Sequence, residues 1–562
     1  MLRSLLFAGF LLSPSWAATV TYNFNIGWVT AAPDGYSRPV IGINGQWPIP
    51  TIEANVGDTV VVNVQNNLGN ETTSLHFHGM YQQGTNAYDG PVGVAQCPIA
   101  PGSSFTYTFI ANPAGTHWYH SHDRGQYPDG LRGKMIIHDP TWEASLNIDQ
   151  QIYLTMSDWY HTQMPTLLAT QYLSTSNLVG SIPSPNSYLF NDTNAPLKFT
   201  FQPKKRYLIR LVNVGALTCA YFHIDSYKMS VVAVDGVPVN PSSTDTILVC
   251  AGQSYDIIVV GASNPTSSVQ YIVKMSTDML TSDFPSASST TIIGNVVYLI
   301  NGLLTSLITG LFSAITTSWT ASVVLDDYTL VPTDNLALYT NPTNKIHYAT
   351  NQTYFSGIGT RIMVGDEPYV EPKVPSLFTA LTTGTAALNA STYGPGVVPH
   401  ILKSNEVVQI YMENSQPYPH PMHLHGHDFQ LAGRGAGSWD GTDASLRKTP
   451  MRRDTVTIPA NGYIVIRFIA NNPGVWFFHC HIDWHLVGGM ASTIIEAPDV
   501  LQSQQSVPVA AQGICSGVGQ ASSGNCAAQS GAITAAAASQ QCNTIYNVQS
   551  SNMGALVSSN TK

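Results

Sequence analysis

Four short histidine pairs are the residues of this 562-residue chain whose types and spacing could do chemistry. His76/His78, His120/His122, His423/His425 and His479/His481 each enclose one residue, and they account for eight of the 17 histidines. On a β-strand, residues i and i+2 share a face, about 6.6–6.8 Å apart along the chain. That is wide for two imidazoles gripping one ion through bonds of about 2 Å. It suits a pair that supplies two neighbouring ions. Eight neutral ring nitrogens exceed one tetrahedral site and are about right for three metals.

Cys480 lies between His479 and His481. Strand alternation points the two imidazoles one way and the thiolate the other, so the sulfur faces a different ion from its neighbours. His485 and Met490 follow, and His420 lies upstream. Cysteine, two histidines and a weak thioether form the ligand set of an electron-transfer copper. A closed Cys/His set could also hold zinc, but zinc has no redox chemistry and would leave the covalent link from Cys480 to its flanking histidines without a purpose.

These residues need a rigid frame, and the chain reads as β structure. Gly 45 and Pro 35 mark frequent turns. β-like runs recur in three blocks, among them Thr59–Val64 and Ser104–Ile110, Tyr207–Val212 and Tyr255–Val260, then Val407–Tyr411 and Tyr463–Phe468. Short strands at this spacing predict β-sandwiches. The expected class is all-β, with three sandwiches in series over 18–145, 146–334 and 335–502. Histidine pairs more than 300 residues apart then share one cluster only if it sits between the first and third sandwiches.

Composition narrows the partners. Lys+Arg 23 against Asp+Glu 33 gives a net charge of −10, so no basic surface is available for nucleic acid. Residues 1–17 read as a secretory signal, with Arg3, an apolar Leu5–Leu12 core and small residues at Ser15-Trp16-Ala17. A secreted, extracellular or cell-wall protein is expected. Four sequons fit that address, at Asn70, Asn191, Asn351 and Asn389. The cysteines number seven, so at least one has a role outside internal disulfides, and Cys480 is the obvious one. The other six allow 15 pairings, of which Cys219–Cys250 and Cys97 with a C-terminal cysteine are favoured. Residues 503–562, rich in Ser, Gln, Ala and Gly, read as a low-complexity tail without a membrane anchor. From Phe284 to Leu325 there is no charged residue, and Val296–Ile315 is strongly apolar. A transmembrane helix, a buried insertion at about 290–318 and a translated intron are three readings of it.

The strings His76-Phe77-His78-Gly79, His117-Trp118-Tyr119-His120-Ser121-His122, His420-Pro421-Met422-His423-Leu424-His425-Gly426-His427 and His479-Cys480-His481-Ile482-Asp483-Trp484-His485 resemble the four copper signatures of multicopper oxidases, in the fungal laccase and ferroxidase-like branch. The resemblance spans most of residues 20–500. It implies cupredoxin-like Greek-key sandwiches and four copper ions. Cys480, His420 and His485 would hold type 1 copper, with Met490 axial. His76 and His423 would hold type 2. His122, His425 and His479 would hold one type 3 ion, and His78, His120 and His481 the other. His117 and His427 lie off this register. Asp89 and Asp483 match the acids that supply protons, and His485 matches the point where electrons arrive.

For the reductant, the iron-oxidising branch places carboxylates beside the type 1 histidines. Here those positions hold Gln416 and the acid-free Ser181-Ile182-Pro183-Ser184-Pro185, though Asp326 and Asp327 could fold in. The expectation is therefore a monomeric, laccase-like oxidase of phenols or aromatic amines that reduces dioxygen to water. A secreted ferroxidase is the alternative, and a non-catalytic copper-binding protein a lesser one.

Overall fold

The computed structural model describes residues 17–265, 267–276, 278, 290–300, 303–304, 316, 318–356 and 358–529. Residues 1–16 of the expected 1–17 signal, Cys542 and most of the apolar run after residue 304 lie outside these. Among the described residues six sheets pack in pairs as three cupredoxin-like sandwiches. Strand alternation builds each core. In Thr59–Asn66 the residues Val60, Val62 and Val64 are buried and those between them are partly exposed. They share a core with Phe77, Tyr119 and Met135 of the facing sheet.

The three sandwiches repeat one wiring. In each, the first strand runs parallel to a later one: Thr19–Ala31 with Thr59–Asn66, Gln150–Trp159 with Arg206–Asn213, and Asn344–Phe355 with Val407–Asn414. In each facing sheet the last strand runs parallel to a short early one. These pairs are Ile52–Asn55 with Arg132–His138, Lys198–Phe201 with Thr291–Ile300, and Pro399–Leu402 with Ala491–Glu496. A parallel pair cannot be closed by a tight hairpin, so each one ties distant parts of a sandwich together.

This repetition corrects the insertion reading of about 290–318 over its first part, residues 290–300, while most of 305–318 lies outside the described residues. Thr291–Ile300 is the closing strand of the second sandwich, hydrogen-bonded on one side to Lys198–Phe201 and on the other to Val269–Met275. Val296 is fully buried. A strand with sheet on both sides and packing on its face reads as a continuous apolar run, and that run concealed its period. The transmembrane reading of a helix starting at Val296 falls with it. Among the described residues no helix is long and apolar enough to cross a membrane.

The start of the supposed tail is also built into the fold. Helix Pro498–Gln504 packs against helix Ser376–Thr382, and helix Val509–Gly517 against Ser104–Ile110 of the first sandwich. Ala511, Ile514 and Cys515 fall at i, i+3 and i+4 and are buried, a stripe too short to stand out from its Ser/Gln/Ala surroundings. Cys515 bonds to Cys97 across 418 residues, and Cys219 bonds to Cys250. Cys515→Ser is expected to cost about 2–4 kcal/mol. The checks are a lower thermal midpoint and faster amide exchange over 498–517.

Candidate metal centre

Two antiparallel strand pairs set the site. His76–His78 pairs with Gly115–His120, with His76 opposite His120. His420–Leu424 pairs with Gly474–Cys480, with His423 opposite His479 and Met422 opposite Cys480. The first pair belongs to the first sandwich and the second to the third. Bonds across the interface hold them in register. The Asn86 side chain donates to the Val475 carbonyl at 3.2 Å and accepts from its N–H at 2.7 Å, and Tyr81 donates to Asp428 at 2.6 Å.

The sulfur end is compact. Cys480 Sγ lies 3.7 Å from His420 Nδ1 and 3.5 Å from His485 Nδ1, and these two nitrogens are 3.1 Å apart. His420 Nε2 donates to Gln416 Oε1 at 2.6 Å, which leaves Nδ1 as a bare lone pair. Burial pushes the Cys480 thiol above its ordinary range and the His485 imidazole down to about 3. Two neutral imidazole nitrogens beside a buried thiol fit a soft cation that would displace the thiol proton and convert it to thiolate. Met490 is fully buried in the same core, and its carbonyl accepts from the Cys480 N–H at 3.1 Å.

On the opposite face, the eight paired histidines converge. His122, His425 and His479 bring their ligand atoms within 4.8 Å of one another, as do His76, His78 and His120. His425 Nε2 and His479 Nε2 are 3.1 Å apart, and His481 Nε2 lies 3.3 Å from His78 Nδ1. The outer nitrogens are anchored to oxygen. His76 Nδ1 meets the Asp89 carbonyl at 2.7 Å, His120 Nδ1 the Ser121 carbonyl at 2.8 Å, His423 Nδ1 the Asp454 carbonyl at 3.0 Å, and His479 Nδ1 the Cys480 carbonyl at 2.9 Å. Such bonds fix the tautomer and leave the inner nitrogen unprotonated. Accordingly the Nε2 atoms of His76, His120, His122 and His423 are buried with no hydrogen-bond partner. Burial and mutual repulsion hold His78, His120, His122, His425, His479 and His481 well below the usual histidine range. Neutral imidazoles with orphaned lone pairs fit several metal ions.

The acids divide by what they touch. Asp89 is fully buried, and its Oδ2 accepts from His425 Nδ1 at 2.9 Å. Gly90 lets the chain approach so closely. Its φ is +108°, and a Cβ there would lie 2.1 Å from the Leu75 carbonyl oxygen. Asp89 therefore holds histidines in place. Asp483 lines a cavity beside His120, His122, His479 and His481, and its Oδ2 has no partner. Burial, helped by the Asp158 charge, pushes its carboxyl up to about 8. Sequence reasoning missed Asp454, whose Oδ1 lies 3.1 Å from His78 Nε2. Its only signal is an acid immediately before the strand Thr455–Ile458, which pairs with the strand carrying His420 and His423.

Other residues lie apart from the cluster. The His117 ring fills the space beside Gly79, where a Cβ would meet its Nδ1 at 2.2 Å. His427 Nε2 lies 3.0 Å from Glu496. Asp326 and Asp327 do not fold into the sulfur site. Both pair with Arg434, and Asp327 also with Arg453.

Comparison with known proteins bears on the donor set. Three family models, each described as multicopper oxidase, match residues 25–142, 150–298 and 369–500. The iron transport multicopper oxidase fetC of Epichloe festucae is 41% identical over 510 residues, covering 88% of this chain and 78% of that protein. The crystal structure of Fet3p, a multicopper oxidase that functions in iron import, superimposes with a TM-score of 0.85 at 34% identity, over 90% of this chain and 96% of that one. A laccase from Botrytis aclada superimposes at 0.75 with 28% identity, over 90% and 92%.

These relatives overturn the expectation of a laccase-like phenol oxidase, since the iron transport proteins match better in both sequence and structure. The expectation weighed charge at position 416. In the structure the role filled there is acceptance of the His420 N–H, which an amide oxygen performs as a carboxylate would.

Proposed function

Because the chain belongs to the multicopper oxidase family, we propose that its reductant is Fe(II) and that it is a ferroxidase, coupling four one-electron oxidations to the reduction of dioxygen to water. The observation that carries this reading is the 41% identity to a protein named for iron transport over most of both chains. Bound copper would take single electrons at Cys480, His420, His485 and Met490 and deliver four to dioxygen at the histidine cluster. The chain's own residues supply the route and the protons.

On this reading His485 is the point where electrons arrive, as the family resemblance implies; it and His420 are both buried. Oxygen donors border the two rings. Gln416 holds His420, and Tyr418 packs its ring 6.0 Å from His485 while donating to Gln352 Oε1 at 2.9 Å. Carbonyl and hydroxyl oxygens suit a hard cation better than an apolar slot would. From Cys480 two peptide links lead to His479 and His481, so the covalent path joins the two ends of the site. Burial raises the pKa of the Asp483 carboxyl, and it stands in the cavity beside the cluster, placed to give a proton to reduced oxygen. The disulfides Cys97–Cys515 and Cys219–Cys250 support work in an oxidising compartment outside the cytosol.

The test is oxygen consumption by copper-loaded protein with Fe(II) and with a phenolic dye. kcat/KM for Fe(II) is expected to exceed that for the dye by at least about tenfold, about 1.4 kcal/mol at the transition state. Equal or better oxidation of the dye would reject iron as the reductant.

A further inference from the structure

The cavity beside the histidine cluster carries a second charged group that the route above does not use. It runs from His120, His122, His479, His481 and Asp483 outward to Asp123, Arg124 and Glu371. With about 50 Å³ open to water centres, it has room for roughly three or four waters. Glu371 is the outermost acid, with its side chain 20% exposed against 2% for Asp123.

The fold holds this group in position. Arg124 has a left-handed backbone, φ +50°, and reaches within 4.0 Å of Glu371 and 3.7 Å of Asp123. A non-glycine residue held there marks a loop constrained by its surroundings. Gly125 follows, where a Cβ would meet Val487 at 3.0 Å and Asp483 at 3.3 Å. Across the opening, the Glu371 stem rests on Gly93, where a Cβ would lie 2.8 Å from Glu371 Cγ. Asp123 is tied down by the Thr72 hydroxyl at 2.6 Å.

We propose that Glu371 is the proton inlet of the oxygen-reducing chamber, relaying protons from bulk water through the cavity toward Asp483, with Arg124 as its positioning residue. The inference rests on oxygen reduction and not on the identity of the reductant. Dioxygen, four electrons and four protons give two waters. For each proton the Glu371 O–H bond breaks, the proton passes to cavity water, and the carboxylate regains a proton from solvent. Glu371 is unchanged over the cycle, and the electrons come from the external donor. Burial raises the Glu371 pKa and Asp123 adds to the rise, while Arg124 opposes both. Tyr369, also buried at the cavity wall, is a further titratable group beside it, and Tyr127, His122 and Asp483 line the same cavity.

The experiment uses copper-loaded protein, fully reduced and then mixed with dioxygen in H₂O and D₂O while the blue absorption recovers. In Glu371→Gln recovery is expected to slow about tenfold or more, less than the roughly 100-fold or more of a donor that touches the reacting group because Glu371 acts through cavity water, with a larger solvent isotope effect. Anaerobic bleaching by reductant keeps its wild-type rate, and Glu371→Asp restores most of the recovery. In Arg124→Gln the rate profile moves to higher pH, because loss of the cation leaves Glu371 protonated to higher pH. Wild-type recovery and isotope effect in Glu371→Gln would overturn the proposal, as would equal slowing of the bleaching. If Glu371→Gln fails to load copper, the Arg124→Gln profile decides, and an unmoved profile rejects the inlet.

Discussion

Replacing Cys480 with serine removes the blue absorption and lowers oxygen consumption with every reductant by more than about 100-fold, beyond the 10–100-fold typical of losing only a partner of a metal ligand. The sulfur is the one soft donor between His420 and His485, 3.5–3.7 Å from their Nδ1 atoms. A serine oxygen is harder and is not deprotonated as readily, so the site loses its preference for copper. The backbone route to His479 and His481 survives the change, so the loss is assigned to the port itself. The substitution is close to isosteric, and the strand Gly474–Cys480 keeps its pairing with His420–Leu424. Spectra and metal content therefore read the site rather than a collapsed fold, with one copper fewer per chain. Retained blue colour in a folded Cys480→Ser protein would sink the assignment.

The parts of this protein that were readable from sequence are those whose chemistry is local. A histidine two residues from another declares a shared strand face, and Cys480 between two such residues declares the opposite one. Disulfide candidates could be narrowed because Cys480 was already excluded. What stayed hidden depends on partners far away in sequence. Thr291–Ile300 became recognisable as a closing strand only beside Lys198–Phe201 and by analogy with Arg132–His138 and Ala491–Glu496, which pair with short strands of their own. Asp454 and Glu371 are single acids, and their importance lies in reaching His78 and Arg124 from other segments. The reductant was misread for a related reason. Charge at Gln416 can be read from the sequence, but its hydrogen bond to His420 requires the fold.

His481→Ala separates the two ends of the site. Its ring stands in the cluster, with Nε2 3.3 Å from His78 Nδ1 and Nδ1 buried without a partner. Cys480, one residue earlier, faces the other way. The expected result is loss of oxygen reduction by more than about 100-fold, again exceeding the effect of a missing outer partner, with the blue absorption and its anaerobic bleaching by reductant largely kept. The change removes the ring's packing against Gly252 and its 5.2 Å contact with Trp118, and the vacated space leaves His78 and His120 without their third partner. Stopped-flow reduction and reoxidation of the same preparation measure both halves. Electrons then fill the port and have nowhere to go. If the blue absorption disappeared together with oxygen reduction, the two faces of this strand would not be independent metal sites, and alternation along His479-Cys480-His481 could not be the basis of the coupling.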